Sequence, residues 1–434
     1  MRHALAWRHV HFTGIGGVGM AGLALILRDW DVQVSGSDAA ESKNLARLRE
    51  RGATIAVGHA ARHVTTPDVL VYSSAVGPEN PERQAAAAKG IPCVRRGVFL
   101  AALAEQFPRR VAVAGSHGKT TTTAMLSQIL LDAGRDPGYL VGGEVGGRAA
   151  PATAGAGELL VTEVDESDGT QAWMNCTHAI VVNAEDDHCW SVGGEGALAE
   201  IFRELGRRTQ CLVTYAKDAT DATRAYYGRH PDVEIITPAT VRRDLGLRVP
   251  GEHNEINATL ALRVALRLGV AEAAAIASLA RFGGVERRLS TRYAGPGALV
   301  IEDYAHHPSE VHASLAALRR AHPGRRLRVI FQPHRNERVA RFTDDFAREL
   351  ALADQVVVTP PFAAWVDDAG LADPSVIAAR VPGGQARYAT EPFPQLATRL
   401  AQEGAAGDVL VVMGAGTITE LVPLLVASLM NKGL

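Results

Sequence analysis

Residues 111–126 read V-A-V-A-G-S-H-G-K-T-T-T-T-A-M-L. An apolar run of strand length stops at a glycine, and a lysine and four threonines open a helical pattern. In that setting Gly115-Ser116-His117-Gly118-Lys119-Thr120 reads as a phosphate loop that runs into the helix at Thr121. Glycines let backbone N–H groups approach phosphate oxygens, and the helix N-terminus adds partial positive charge. Lys119 would neutralise β- and γ-phosphates, and Thr120 would ligate Mg2+. Val113 stands where a full Walker A motif has its first glycine. The plainer alternative is a glycine turn with a surface lysine. Composition argues against it: the chain has five lysines among its 45 basic residues, so its basic surface is made with arginine.

A second glycine turn, Gly14-Ile15-Gly16-Gly17-Val18-Gly19, follows the apolar stretch at 10–13 and precedes a helical run at 20–27. Asp38 follows 19 residues after Gly19, the spacing of a ribose-binding acid beyond a diphosphate-binding turn. By itself this suggests NAD(P), another nucleotide diphosphate, or a turn with no ligand. Glu163-Val164-Asp165-Glu166-Ser167-Asp168 packs four carboxylates after a buried strand. They repel one another unless a cation sits among them, and a hard, oxygen-rich site suits Mg2+. Asn183-Ala184-Glu185-Asp186-Asp187-His188 closes the next strand. Parallel sheets gather ligand groups at strand carboxyl ends, so these loops can meet one Mg-triphosphate. Asn254 and Asn257 share a face at a helix start, as ligand groups or as an N-cap. Asp303-Tyr304-Ala305-His306-His307 and Gln332-Pro333-His334-Arg335-Asn336-Glu337-Arg338 sit at two further strand ends. The paired histidines invite a metal, ribose or substrate contact, and Arg335 and Arg338 offer a fork for a carboxylate.

The elements that must position these groups are α/β throughout. Strands are expected at 10–13, 32–35 and 69–73 with a helix over 42–51, then at 109–114, 159–163 and 179–183, with helices over 258–268 and 271–280. Further strands are expected at 298–301, 327–332, 354–359 and 408–413. This is the rhythm of parallel sheets. Breaks at 107–110 and 282–284 divide the chain into three domains, 1–107, 108–286 and 287–434. The stretch 149–157 reads as a mobile loop and the basic run 319–328 as a solvated face. A net charge of -2 gives no electrostatic footprint for nucleic acid. Four scattered cysteines argue for free thiols, and no apolar run is long enough to span a membrane. A cytoplasmic location is expected.

Taken in order, H-F-x-G-I-G-G-V-G-M-A-G, S-G-S-D, S-S-A, G-S-H-G-K-T-T-T, E-V-D-E-S-D, N-A-E-D-D-H, G-E-H-N, D-Y-A-H-H-P and F-Q-P-H-R resemble the Mur ligases over about residues 9–420. F-Q-P-H-R favours the alanine-adding branch over the recycling ligases that attach a tripeptide. The resemblance implies a Rossmann-like N-terminal domain for a UDP-sugar, a P-loop-type central ATPase domain and a Rossmann-like C-terminal domain for the amino acid. It implies ATP and Mg2+ as cofactors, with UDP-N-acetylmuramate and L-alanine as substrates. The first glycine turn, Gly14 to Gly19, would then hold the UDP diphosphate rather than NAD, with Asp38, His59, Ser73, Ser74 and Arg96 around it. Glu163 and His188 would join Thr120 at the metal, and Asn254 and Asn257 would face the adenine. Asp303 and His306 would reach the nucleotide, either that loop or His188 would assist deprotonation of the incoming ammonium, and Arg335 and Arg338 would hold the amino-acid carboxylate. Oligomeric state stays open between monomer and homodimer.

The chain also departs from the Mur pattern. It has His188-Cys189-Trp190 where His-Met-Asp is usual, and Phe362-Ala363-Ala364-Trp365-Val366 where a Tyr-Ala-Ala-Gly-Glu-like stretch is expected. No lysine lies between Lys119 and Lys217, so the carbamoylated lysine of many Mur ligases has no counterpart.

Overall fold

The computed structural model describes residues 7–185, 187, 189–334, 336–362 and 373–433, apart from the side chain of Trp190. Its strands form three sheets. The first is fully parallel, in the spatial order Thr54–Val57, Gln33–Asp38, His9–Thr13, Val69–Tyr72, Cys93–Arg95. The glycine turn leaves the central strand, so the segments after its two neighbours lie on either side of it.

The second sheet runs Val233–Ile236, Thr209–Tyr215, Cys176–Val181, Arg109–Ala114, Leu159–Glu163, Gly138–Leu140, Ala152–Thr153. Arg109–Ala114, which leads into the lysine loop, is flanked by the strands that lead into the acidic loop and into Asn183. Three chemically active loops therefore emerge side by side. The strands at 209–215 and 233–236 lie in a stretch the sequence pattern left unassigned.

The third sheet runs Ser290–Ala294, Ala298–Asp303, Asp408–Met413, Leu327–Phe331, Gln355–Val358, Ala386–Tyr388. Only the first pair is antiparallel. Apolar side chains pack on both of its faces, which explains its unbroken Val/Leu/Ile runs.

The chain divides into two compact units. One comprises residues up to Leu247 with Glu255–Phe282 and carries the first two sheets, and the other comprises Arg248–Asn254 with Gly283–Leu434 and carries the third. Within the first unit the two sheets share one continuous core. The helix Val18–Asp29 packs against the strands at 138–140 and 152–153, and a Cβ at Gly22 would lie 3.0 Å from Leu140 and 3.3 Å from Ala152.

Two expectations are corrected here. The stretch 149–157 is not a loose loop, because Ala152–Thr153 is a paired strand with Ala150, Ala152 and Ala154 buried. Its small side chains permit close packing, and Asp29 accepts hydrogen bonds from the Thr153 hydroxyl and the Ala154 amide. The run 319–328 is not wholly solvated either. Arg328 is buried and donates to Gln355, Asp408 and Glu403 and to the Leu400 carbonyl. No helix among the described residues is long and apolar enough to cross a membrane.

Candidate active site

Gly115 and Gly118 adopt positive φ (136° and 84°), which the turn from strand to helix requires. A Cβ at Gly118 would lie 2.7 Å from the buried amide oxygen of Asn257, so helix Glu252–Arg267 presses directly on the loop. Asn183 clamps the other side. Its side chain accepts from the His117 amide at 3.0 Å and donates to the His117 carbonyl at 3.2 Å. The Ser116 hydroxyl is bonded to the backbone of Glu185. Thr121 is buried in the first helical turn.

Lys119 begins the helix Lys119–Asp132 and folds back over its own loop. Its Nζ donates to the carbonyls of Gly115 and Ser116 and lies 2.7 Å from Glu166 Oε2. Burial opposes its charge, but Glu166, Asp165 and Glu163 hold it protonated above the ordinary lysine range. Burial pushes Glu166 up to about 7 although Lys119 draws it down. Asp165, also opposed by burial, is brought down to about 2 by Lys119 and Arg96. The acidic loop thus has two cations among its carboxylates, the side chains of Lys119 and Arg96.

Glu163 is arranged differently. Its Oε2 accepts from the Thr120 hydroxyl at 2.9 Å. Its other oxygen lies where only a glycine leaves room, since a Cβ at Gly142 would fall 1.8 Å from it. A hydroxyl and a carboxylate oxygen brought together beside a phosphate loop are the hard donor set that Mg2+ takes. His188 lies outside the described residues.

The first glycine turn is held by Ser37, whose carbonyl accepts from the amides of Gly14 and Ile15. Asp38 Oδ2 accepts from the Gly16 amide at 2.7 Å. Gly17 and Val18 are exposed, whereas the Ile15 side chain is buried, so Ile15 faces a ligand only through its backbone. Ser73 packs on Gly14, Ser74 is exposed beside it, and His59 follows the edge strand. Arg96 begins the helix Arg96–Ala104 and reaches across, with Nη1 2.6 Å from where a Cβ at Gly19 would stand. Its Nε donates to Asp168 Oδ2 at 3.1 Å, and its guanidinium is 3.5 Å from Asp165. One arginine therefore joins the Gly14–Gly19 turn to the acidic loop, a link with no signature in sequence spacing.

In the other unit, Asp303 is buried and its oxygens accept from the Leu289 amide, the Ala305 amide and the Ser314 hydroxyl. Burial raises it to about 6. His306 Nδ1 donates to the Tyr304 carbonyl, and burial lowers the ring to about 3. It is a neutral ring with a defined tautomer. Arg338, on helix Asn336–Leu350, is buried and donates to the His334 carbonyl at 3.1 Å. The Asn254 amide donates to the Pro250 carbonyl at 2.7 Å. Arg335 and residues 363–372 lie outside the described residues.

Residues 9–108 match the Mur ligase family, catalytic domain, and residues 287–416 match the Mur ligase, glutamate ligase domain. A UDP-N-acetylmuramate–L-alanine ligase of Kineococcus radiotolerans is 41% identical over 452 residues, covering 95% of this chain and 94% of that one. The chain belongs to the Mur ligase family. A second such ligase, from Delftia acidovorans, is 36% identical and aligns over 100% of this chain and 98% of its own. The three-domain Mur ligase fold is also that of the crystal structure of UDP-N-acetylmuramate-alanine ligase from Thermotoga maritima. That structure matches with a TM-score of 0.82 at 28% identity, covering 98% of this chain and 99% of that one.

The residue that sequence reasoning missed in this Mur ligase is Glu82. A signal for it existed. His11 and Thr13 alternate along one buried strand, and Ser35 and Ser37 stand opposite them on the next. A polar stripe inside a core needs a buried partner.

Proposed function

We propose that this Mur ligase joins L-alanine to the carboxylate of UDP-N-acetylmuramate with cleavage of ATP, a step of peptidoglycan precursor synthesis in the cytoplasm. The observation that carries this reading is the full-length similarity, 41% identical in one case, to UDP-N-acetylmuramate–L-alanine ligases. Residues 1–107 are assigned to the UDP-sugar, 108–286 to ATP and 287–434 to the amino acid.

A carboxylate is a poor acyl donor near neutral pH. Its oxygen attacks the γ-phosphorus, the bond to the bridging oxygen breaks, and ADP leaves. The alanine nitrogen attacks the resulting acyl phosphate, loses a proton, and the tetrahedral intermediate expels phosphate. Lys119, turned from Glu166, neutralises charge on the β- and γ-phosphates, while the amides of Gly115 to Thr121 cradle them. Thr120, Glu163 and His188 would hold Mg2+, which supplies Lewis-acid neutralisation of phosphoryl oxygens. Asn254 and Asn257 are assigned to the adenine side. The turn Gly14–Gly19, Asp38, His59, Ser73, Ser74 and Arg96 are assigned to the UDP-sugar, and Arg335 and Arg338 to the alanine carboxylate. Asp303 and His306 are assigned to the nucleotide side of the third domain, and either that loop or His188 to taking the proton from the incoming ammonium.

The test is phosphate release from ATP and Mg2+ with UDP-N-acetylmuramate, offering L-Ala, Gly, L-Ser or L-Ala-γ-D-Glu-meso-diaminopimelate in turn. Fastest release with L-Ala, and a product heavier by one alanine residue, is the expected result. Release only with the tripeptide would move the chain to the recycling branch.

A further inference from the structure

Beneath the carboxyl edge of the first sheet lies a sealed polar cluster that phosphate and metal chemistry leaves unused. Its centre is Glu82, fully buried in the first turn of the helix Pro81–Ala88. Oε2 accepts from the Thr13 hydroxyl at 2.9 Å, the Ser37 hydroxyl at 2.6 Å and His11 Nε2 at 3.2 Å. Oε1 accepts from His63 Nδ1 at 2.8 Å and the Ala60 amide at 3.3 Å. Burial by itself would raise this carboxyl, but the hydrogen bonds from His11, Ser37 and His63 outweigh it and bring it down to about 2.

Proton bookkeeping then settles the Ser37 hydroxyl. An ionised carboxylate only accepts, so the single hydroxyl proton of Ser37 points at Glu82. Ser37 Oγ also lies 2.7 Å from His59 Nδ1. With its proton committed, the serine oxygen accepts there, so Nδ1 carries the hydrogen. In the neutral ring Nε2 is then a bare lone pair. Glu82 and Ser37 are sealed, whereas the His59 side chain is 21% exposed. A bare lone pair cannot bind a diphosphate oxygen, because both are acceptors. It can take an N–H or O–H. In a sheet of this kind the ribose lies at the end of the strand next to the glycine turn, here the strand ending in Asp38. His59 follows the next strand outward, on the nucleoside side.

We propose that Glu82 is a positioning residue that acts through Ser37 to lock His59 in the Nδ1–H tautomer, so that Nε2 accepts a hydrogen bond from the nucleoside of the UDP-sugar, either uracil N3–H or a ribose hydroxyl. The ligand half of this rests on the assignment of the UDP-sugar to the first domain, but the tautomer half does not.

The tautomer is tested without substrate, on nitrogen-15-histidine-labelled full-length protein at about pH 8, with the His59 signals identified by their loss in His59→Gln. The wild type is expected to show a protonated Nδ1 and an unprotonated Nε2, and Ser37→Ala and Glu82→Gln a tautomer mixture. A protonated Nε2 in the wild type would overturn the relay. The ligand half is tested by binding UDP, N3-methyl-UDP, 2′-deoxy-UDP and 3′-deoxy-UDP. One analogue is expected to lose about tenfold on the wild type and less than about twofold on His59→Ala, the size of one hydrogen bond. Equal losses on both proteins would overturn the acceptor role. Failure of UDP itself to bind would overturn the UDP-sugar assignment while leaving the tautomer result standing. In turnover, Ser37→Ala is expected to raise KM for UDP-N-acetylmuramate several-fold with KM for ATP unchanged, and a matching rise in both would reduce the cluster to a scaffold.

Discussion

Lys119 Nζ and Glu166 Oε2 lie 2.7 Å apart, with the Glu166 side chain fully buried and Lys119 only 16% exposed. The cation that should meet a triphosphate is held by a carboxylate three residues from Glu163. Removing one partner of a buried pair strands the other charge and costs about 3–5 kcal/mol. Lys119→Ala should therefore lower thermal stability markedly and reduce turnover by about 10²-fold or more. The double variant Lys119→Ala/Glu166→Gln should recover much of the stability and none of the activity. Calorimetric melting and phosphate release measure the two effects separately.

The same pair sets an expectation for nucleotide binding. Phosphates must compete with Glu166 for Lys119. Glu166→Gln removes a charged competitor and should tighten ADP binding by about three- to tenfold, read by titration calorimetry. Unchanged or weaker binding would mean that the phosphates do not displace this contact.

Thr120 and Glu163 share a 2.9 Å hydrogen bond and are assigned to one cation. Thr120→Val and Glu163→Gln should each move the Mg2+ concentration for half-maximal activity upward. Their effects should combine less than additively, because contacting residues couple. A Mg2+ titration of both single variants and the double variant decides it.

Gly97, on the helix Arg96–Ala104, lies against the short 3-10 turn Thr170–Trp173. A Cβ there would stand 2.2 Å from Thr170 Oγ1 and 3.1 Å from the Thr170 backbone. Backbone cannot yield as a flexible side chain does, so Gly97→Ala should cost about 1–3 kcal/mol in overpacking. A melting temperature equal to wild type would show that the contact relaxes freely.

Glu82 sets a pH dependence with a defined sign. Its carboxyl stands near 4.5 ordinarily and about 2 in the fold. A depressed acid stabilises the folded state above the higher value, and that stability is lost as pH falls toward the lower one. The melting-temperature gap between wild type and Glu82→Gln should be full at pH 6 and narrow steadily below about pH 4.5. A gap that widens on acidification would contradict the assignment.

Much of this architecture was legible in one dimension. The strand Arg109–Ala114, the glycine loop and the following helix could be read from local pattern, because the backbone needs of a phosphate loop are met by residues close in sequence. Thr120 and Glu163 could be listed as metal ligands, yet their contact depends on neighbouring parallel strands 43 residues apart. The stretch at 149–157 was misread because its small residues look like a loop until a helix packs on them. Glu82 was missed because a glutamate in a helix's first turn normally serves the helix end.

The sequence by itself determined the α/β alternation, both glycine turns and the family. Those properties follow from side-chain period and from residues only a few positions apart. The tertiary structure decided which charges meet. Lys119 finds Glu166, Arg96 joins Asp168 to the Gly19 turn, and Glu82 gathers Thr13, Ser37 and His63. Electrostatics and hydrogen bonding act over a few ångströms of space whatever the distance along the chain. Partners 47, 72 and 69 residues apart become neighbours only when parallel strands and the helices after them bring their ends together.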